Sequence, residues 1–147
     1  MNAGLPEATE SQIMAQIVQA LPMFAVEIDR QNTGGMRTQS GQYVRFGRPG
    51  NADLGGMFTR GPARGKRLEI EVKRRGFNPE RVHGVKARKH WAEQLERMRR
   101  TNAQGGFAFW VTDSVQAVTV VRRINQGWRV EIDEAGWPYL TNEELSK

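Results

Sequence analysis

Asp53 and the triplet Glu71-Val72-Lys73 are the residues whose types and spacing carry the most chemistry in this sequence. Side chains two apart on a strand project from one face, so a strand through the triplet sets Glu71 beside Lys73. A second strand entered at Asp53 brings another carboxylate to the same edge. Two carboxylates can hold a hard cation: magnesium prefers an octahedron of oxygens, and water and substrate phosphate complete what one or two carboxylates begin. The adjacent lysine can orient or deprotonate an attacking water, or offset negative charge developing on phosphorus. A solvated strand face alternating with a buried one gives the same letters, so the run Glu69, Glu71, Lys73 by itself also fits a plain surface strand.

Other chemistries are easier to exclude. The chain has no cysteine, hence no disulfide, thiolate metal site or thiol nucleophile. His83 and His90 lie in a basic stretch with no carboxylate at ligand spacing, unlike a zinc pair, and read as surface or DNA-proximal side chains. No serine sits in a nucleophile elbow. Gly61-x-x-x-Gly65-Lys66-Arg67 is one residue short of a phosphate-binding loop and carries Arg67 where Ser or Thr is required, so no nucleotide cofactor is expected.

The elements that must position Asp53, Glu71 and Lys73 follow from periodicity. Ile13, Ile17, Val18 and Leu21 recur at helical spacing within residues 6–21, with Thr9 or Ser11 available as a cap. Met23 to Asp29 reads as a strand running into a turn at Arg30 to Gly35, and Gln42 to Phe46 as a further short strand. The stretch from Gly34 to Gly65 is punctuated by glycine. Lys66 to Arg74 is the best-defined strand, with Leu68, Ile70 and Val72 on one face. Val85, Trp91, Leu95 and Met98 predict a helix to about Asn102, ended by Gly105-Gly106, and Phe107 to Thr112 a buried strand. Asp113 or Ser114 can cap a helix bearing Val115, Val118, Val121 and Ile124, although the valines suit a strand nearly as well. Trp128 to Asp133 is expected as the last strand, and Asn142 to Lys147 as a polar tail. This order suggests one α/β domain spanning residues 1–147, with a mixed central β-sheet flanked by helices.

Length and charge fit that frame. The 147 residues suffice for one core, and no apolar run approaches the roughly 20 residues needed to cross a bilayer. The first ten residues lack the basic and apolar regions of a signal peptide, so an intracellular, cytoplasmic protein with no membrane partner is expected. Between Arg60 and Arg100 stand 14 Lys and Arg against 5 Asp and Glu, while the rest of the chain is mildly acidic. Such a field favours a polyanion, above all nucleic acid, because phosphate binding releases condensed counterions. Arg74, Arg75, Lys86, Arg88 and Lys89 follow directly on the triplet, which would deliver a bound polyanion to Lys73.

The run Gly47-Arg48-Pro49-Gly50-Asn51-Ala52-Asp53-Leu54-Gly55-Gly56, followed by Leu68-Glu69-Ile70-Glu71-Val72-Lys73, resembles the PD-(D/E)XK nuclease superfamily and, within it, the virus-type replication-repair nuclease family, VRR-NUC. Glu10, Arg30-x-Asn32-x-Gly34, Gln94 and Gly105-Gly106 are further landmarks, and the likeness covers about residues 10–118, leaving 119–147 as an extension. The resemblance implies a restriction-endonuclease-like core and a Mg²⁺-dependent DNA endonuclease, with Mn²⁺ able to substitute. It implies that Asp53, Glu71 and the backbone carbonyl of Val72 ligate the metal and that Lys73 is the catalytic lysine. Glu10 becomes a helix-one carboxylate facing the same cleft, and Gln94 the polar residue presented by the second helix, with Glu93 or Lys89 as other occupants of that place. Arg30 and Asn32 become phosphate contacts or simply turn residues. The family also implies products with a 5′-phosphate and a 3′-hydroxyl, a homodimer acting on branched DNA such as a Holliday junction, and a viral or prophage setting. Ala52, where many members have proline, and the long basic segment Phe77 to His90 depart from the family pattern. A non-catalytic nucleic-acid-binding module with the same basic surface is the alternative, and a small-molecule phosphodiesterase a third reading.

Overall fold

The alternation of Leu68, Ile70 and Val72 with Glu69 and Glu71 builds the strand around which the protein is organised. In the computed structural model, which describes residues 6–31, 35–37, 39–40, 43–45 and 52–142, the first half of the chain forms α1 (Glu10–Ala20), β1 (Val26–Arg30), β2 (Gly35–Arg37), β3 (Tyr43–Arg45), β4 (Leu54–Phe58) and β5 (Arg67–Val72). The second half forms α2 (Val85–Ala103), β6 (Phe107–Val111), α3 (Ser114–Asn125), β7 (Arg129–Ile132) and β8 (Pro138–Thr141).

The main sheet has the order β1-β4-β5-β6. β1, β4 and β5 pair antiparallel, and β5 pairs parallel with β6 in the register Glu71 to Trp110 and Val72 to Val111. A parallel pair needs a crossover, which α2 supplies. The molecule is therefore α/β with a mixed four-stranded sheet flanked by helices. Leu68, Ile70 and Val72 pack under Ile13, Ile17 and Leu21 from the α1 side and Ala117, Val121 and Ile124 of α3. Full burial stabilises each such side chain by about 1.5–3 kcal/mol, so this face anchors β5. The opposite face, bearing Glu69 and Glu71, lies under α2, where Trp91 and Met98 meet Ala108 and Trp110.

Local chemistry explains the helix ends. Thr9 and Gln12 exchange side-chain and backbone hydrogen bonds in a capping box at α1. At α3 the Asp113 carboxylate accepts the Gln116 N–H at 2.8 Å, and this cap decides the valine-rich segment in favour of helix.

Three expected strands are revised. Residues Leu21–Phe24 form a 3₁₀ turn started by Pro22, and Ala25 takes a left-handed φ of 63°, so the strand expected from Met23 begins only at Val26. The short strand expected at residues 42–46 is β3, and its partner is β2 in a hairpin of its own rather than the main sheet. The strand expected to be last, β7, is followed by β8, which pairs with it antiparallel. That hairpin turns at Gly136, whose φ is 101° and whose N–H donates to the Asp133 carbonyl at 3.1 Å. No helix among the described residues is long and apolar enough to cross a membrane.

Candidate active site

The odd-numbered residues of β5 point toward α2, and what meets each of them differs. Glu69 is 1% exposed and is met by two cations and a hydroxyl: Arg67 Nε at 2.6 Å, Arg97 Nη2 at 2.9 Å, and Thr101 Oγ1 at 2.9 Å. Burial opposes its charge, but the donated bonds of Arg97, Arg67 and Thr101 outweigh that penalty and hold the carboxyl below its ordinary range. Glu69 is a buried carboxylate paired to two arginines that reach in from the surface; the solvated strand face that the letters also allowed is not what forms.

Glu71, one step along the same face, is 5% exposed and has no cation in ion-pairing contact among the described residues. Its Oε1 accepts from the Gln94 amide at 2.7 Å, and the Gln94 oxygen accepts from Lys73 Nζ at 2.6 Å. Gln94, itself 4% exposed, thus spaces the ammonium from the carboxylate while orienting both. Asp53 enters from the other side: its Oδ2 accepts the Val72 N–H at 2.9 Å, and its carboxyl faces that of Glu71 at hydrogen-bonding range. Burial, then the Asp53 charge, push Glu71 from an ordinary 4.5 up to about 9, with Lys73 offsetting only part. Glu71 therefore keeps its proton at neutral pH when no cation lies beside it.

β-strand geometry adds a third oxygen. A residue's N–H and C=O leave an extended strand on the same side, while neighbouring residues alternate. Lys73 N–H donates to the Val111 carbonyl of β6, so the Val72 carbonyl, like the Val72 N–H, is directed to the Asp53 side. Asp53 and Glu71 carboxylates plus the Val72 carbonyl form an all-oxygen donor set of the kind that suits Mg²⁺ or Mn²⁺. Lys73 Nζ sits beside this set, 5.2 Å from the Phe77 ring and 5.1 Å from the Trp91 ring, whose faces favour a cation.

The other expected site residues fall in different places. Gln94, rather than Glu93 or Lys89, is the α2 residue that reaches Glu71 and Lys73. Glu10 opens α1 as an exposed side chain, and among the described residues no group of three or more His, Cys, Asp and Glu is placed to share an ion, so it adds no third carboxylate to Asp53 and Glu71. Arg30, expected as a phosphate contact or a turn residue, ends β1 as an exposed side chain and links it to α1, its Nη2 donating to the Ser11 hydroxyl at 2.8 Å. Asn32 lies outside the described residues. Arg74, Arg75, Lys86, Arg88 and Lys89 are all exposed. Farther along α2 the basic residues have internal partners, Arg97 on Glu69, Arg99 on the Asp133 carbonyl and Arg100 on Glu96. Phe77 and Trp91 were missed as neighbours of the lysine; their aromatic character at positions after the triplet was the available signal, and Trp91 reads as core, which it also is.

The chain matches no protein-family model and no curated protein at a level that would make it a relative.

Proposed function

We propose that the protein is a divalent-metal-dependent DNA endonuclease of the PD-(D/E)XK type, related to the VRR-NUC family. The observation that carries this reading is the contrast within one strand face. Glu69 is neutralised by two guanidinium groups, whereas Glu71 is buried against a second carboxylate with its nearest ammonium held off by Gln94. Burying two like charges is unfavourable unless a proton or a cation stands between them, and a network built only for stability would be matched as Glu69 is.

On this reading Asp53, Glu71 and the Val72 carbonyl hold the ion, and Lys73, oriented by Gln94, positions the attacking water or offsets charge on the phosphoryl oxygens. A bound Mg²⁺ or Mn²⁺ would supply Lewis-acid stabilisation of the phosphoryl group. Water adds to phosphorus in line, the bond from phosphorus to the 3′ oxygen breaks, and a 5′-phosphate and a 3′-hydroxyl remain. The exposed cations Arg74, Arg75, Lys86, Arg88 and Lys89 draw the DNA backbone toward Lys73. A two-fold homodimer would present two such sites to a branched junction.

With Mg²⁺ or Mn²⁺ the wild type is expected to nick or cut DNA in a panel of junctions, flaps and single strands. Lys73→Ala should lower the rate by about 100- to 1,000-fold while leaving binding in Ca²⁺ unchanged. A wild type that binds DNA but cuts none of these with either metal is the non-catalytic module instead.

A further inference from the structure

Beside the metal-site residues lies a second feature that the proposed chemistry does not use. A cavity of about 380 Å³ opens between the C-terminal end of β6, α3 and the β7–β8 hairpin, walled by Phe77, Trp110, Trp137 and Tyr139 with Thr112 and Gln116 on its polar side. That volume is at the small end of the roughly 300–1,000 Å³ typical of ligand sites. Two of its rings are available to a ligand, Trp137 at 37% exposure and Tyr139 at 50%.

Phe77 is the wall this cavity shares with the lysine pocket. One neighbour of its ring is Lys73 Nζ, at 5.2 Å, and another is the Trp110 ring, edge-on at 5.1 Å. Trp110 in turn stacks at a tilt on Trp137, with centroids 5.5 Å apart. A continuous aromatic wall therefore leads from the ammonium into the cavity. The turn before Phe77 is closed by its N–H on the Arg74 carbonyl at 3.1 Å, with Gly76 at a φ of 84°, and it presents Arg74 and Arg75 to solvent with no carboxylate on either among the described residues. Exposed cations one and two residues before Gly76, where the chain enters the cavity lining, and flat rings inside match a group that is anionic at one end and aromatic at the other.

We propose that this cavity receives one unpaired nucleobase of the DNA strand whose phosphate lies at Lys73, stacked on Trp137 and Tyr139, with Arg74 and Arg75 on the flanking backbone. A base inside a duplex cannot enter, so the substrate is single-stranded or locally unpaired beside the cut. This inference rests on the nuclease reading for its position along the strand, but not for the stacking itself.

The test measures binding, in Ca²⁺, of a short single-stranded DNA and of versions carrying one abasic residue at each successive position, by fluorescence anisotropy. Cleavage of the same set is followed in Mg²⁺ and Mn²⁺. Stacking on aromatic side chains predicts a loss of roughly 5- to 100-fold for an abasic residue at one position, adjacent to the cut, and little elsewhere. Tyr139→Ala, and separately the cavity-filling Val120→Phe, should weaken the intact strand by a similar factor and erase the difference between intact and abasic strands, with unchanged thermal unfolding. Equal affinity at every abasic position overturns the proposal even where cleavage is robust, as does indifference of binding to both variants, which would assign the cavity to another occupant such as a second copy of this chain. A position-specific abasic defect without cleavage in either metal upholds the base pocket and removes the nuclease reading.

Discussion

Glu69 and Glu71 share a strand, a face and a depth, yet opposite neighbours give them opposite electrostatics. For Glu71, whose acid is raised to about 9, the folded state keeps a proton that the unfolded chain has released, so this group costs the metal-free protein stability as pH rises from about 4.5 to about 9. A divalent cation held as proposed by Asp53 and Glu71 would displace that proton. Saturating Mg²⁺ should therefore raise the unfolding temperature more at about pH 8.5 than at about pH 6. Glu71→Gln should stabilise the metal-free protein in the alkaline range and abolish the metal effect; a metal shift independent of pH, or kept in the variant, would contradict the shared carboxylate site. Glu69 carries the reverse sign: its lowered acid contributes stability that is present above the unfolded value and lost as pH falls through the folded one. Glu69→Ala leaves Arg97 and Thr101 without their partner and should cost about 2–4 kcal/mol in denaturant unfolding, whether or not metal is present.

At the level of elements, the site is the meeting of one strand and one helix. Gln94, Arg97 and Thr101 recur at helical spacing on α2, so they line up over Glu71 and Glu69 of β5. Alternation within β5 was legible in the sequence, and it placed Glu71 beside Lys73. It could not show what covers that face, because the partners of Glu69 on α2 lie 28 and 32 residues away. That is why a buried ion pair and a solvated edge read alike, and why Gln94 came into view only through family resemblance. The strands that escaped reading are the short or irregular ones: β2 has three residues, and β8 opens on a proline after a tight turn. Gly136 in that turn is fixed by close contact as well as by φ, since a Cβ there would lie 2.9 Å from Pro79 Cβ and 3.3 Å from Trp91 Cζ2. Gly136→Ala should destabilise by about 2 kcal/mol in equilibrium unfolding and, by shifting Trp91, loosen the seat of Lys73. A stability equal to wild type would show that the hairpin does not brace the lysine pocket.

Across the whole molecule, charge and chemistry converge on the C-terminal end of β5. α2 begins with Lys86, Arg88 and Lys89 in or near its first turn and has no acidic residue there, although cations are disfavoured at the positive end of a helix dipole. An arrangement that costs local stability and raises the positive potential next to Lys73 is what an anionic polymer substrate would select. The proposed chemistry requires one ion shared between Asp53 and Glu71. Anomalous scattering from crystals grown with Mn²⁺ measures this directly. The prediction is a manganese peak in ligating contact with a carboxylate oxygen of each residue and with the Val72 carbonyl. A map with no peak there, with the two carboxyls still bonded to each other at saturating Mn²⁺, would contradict it.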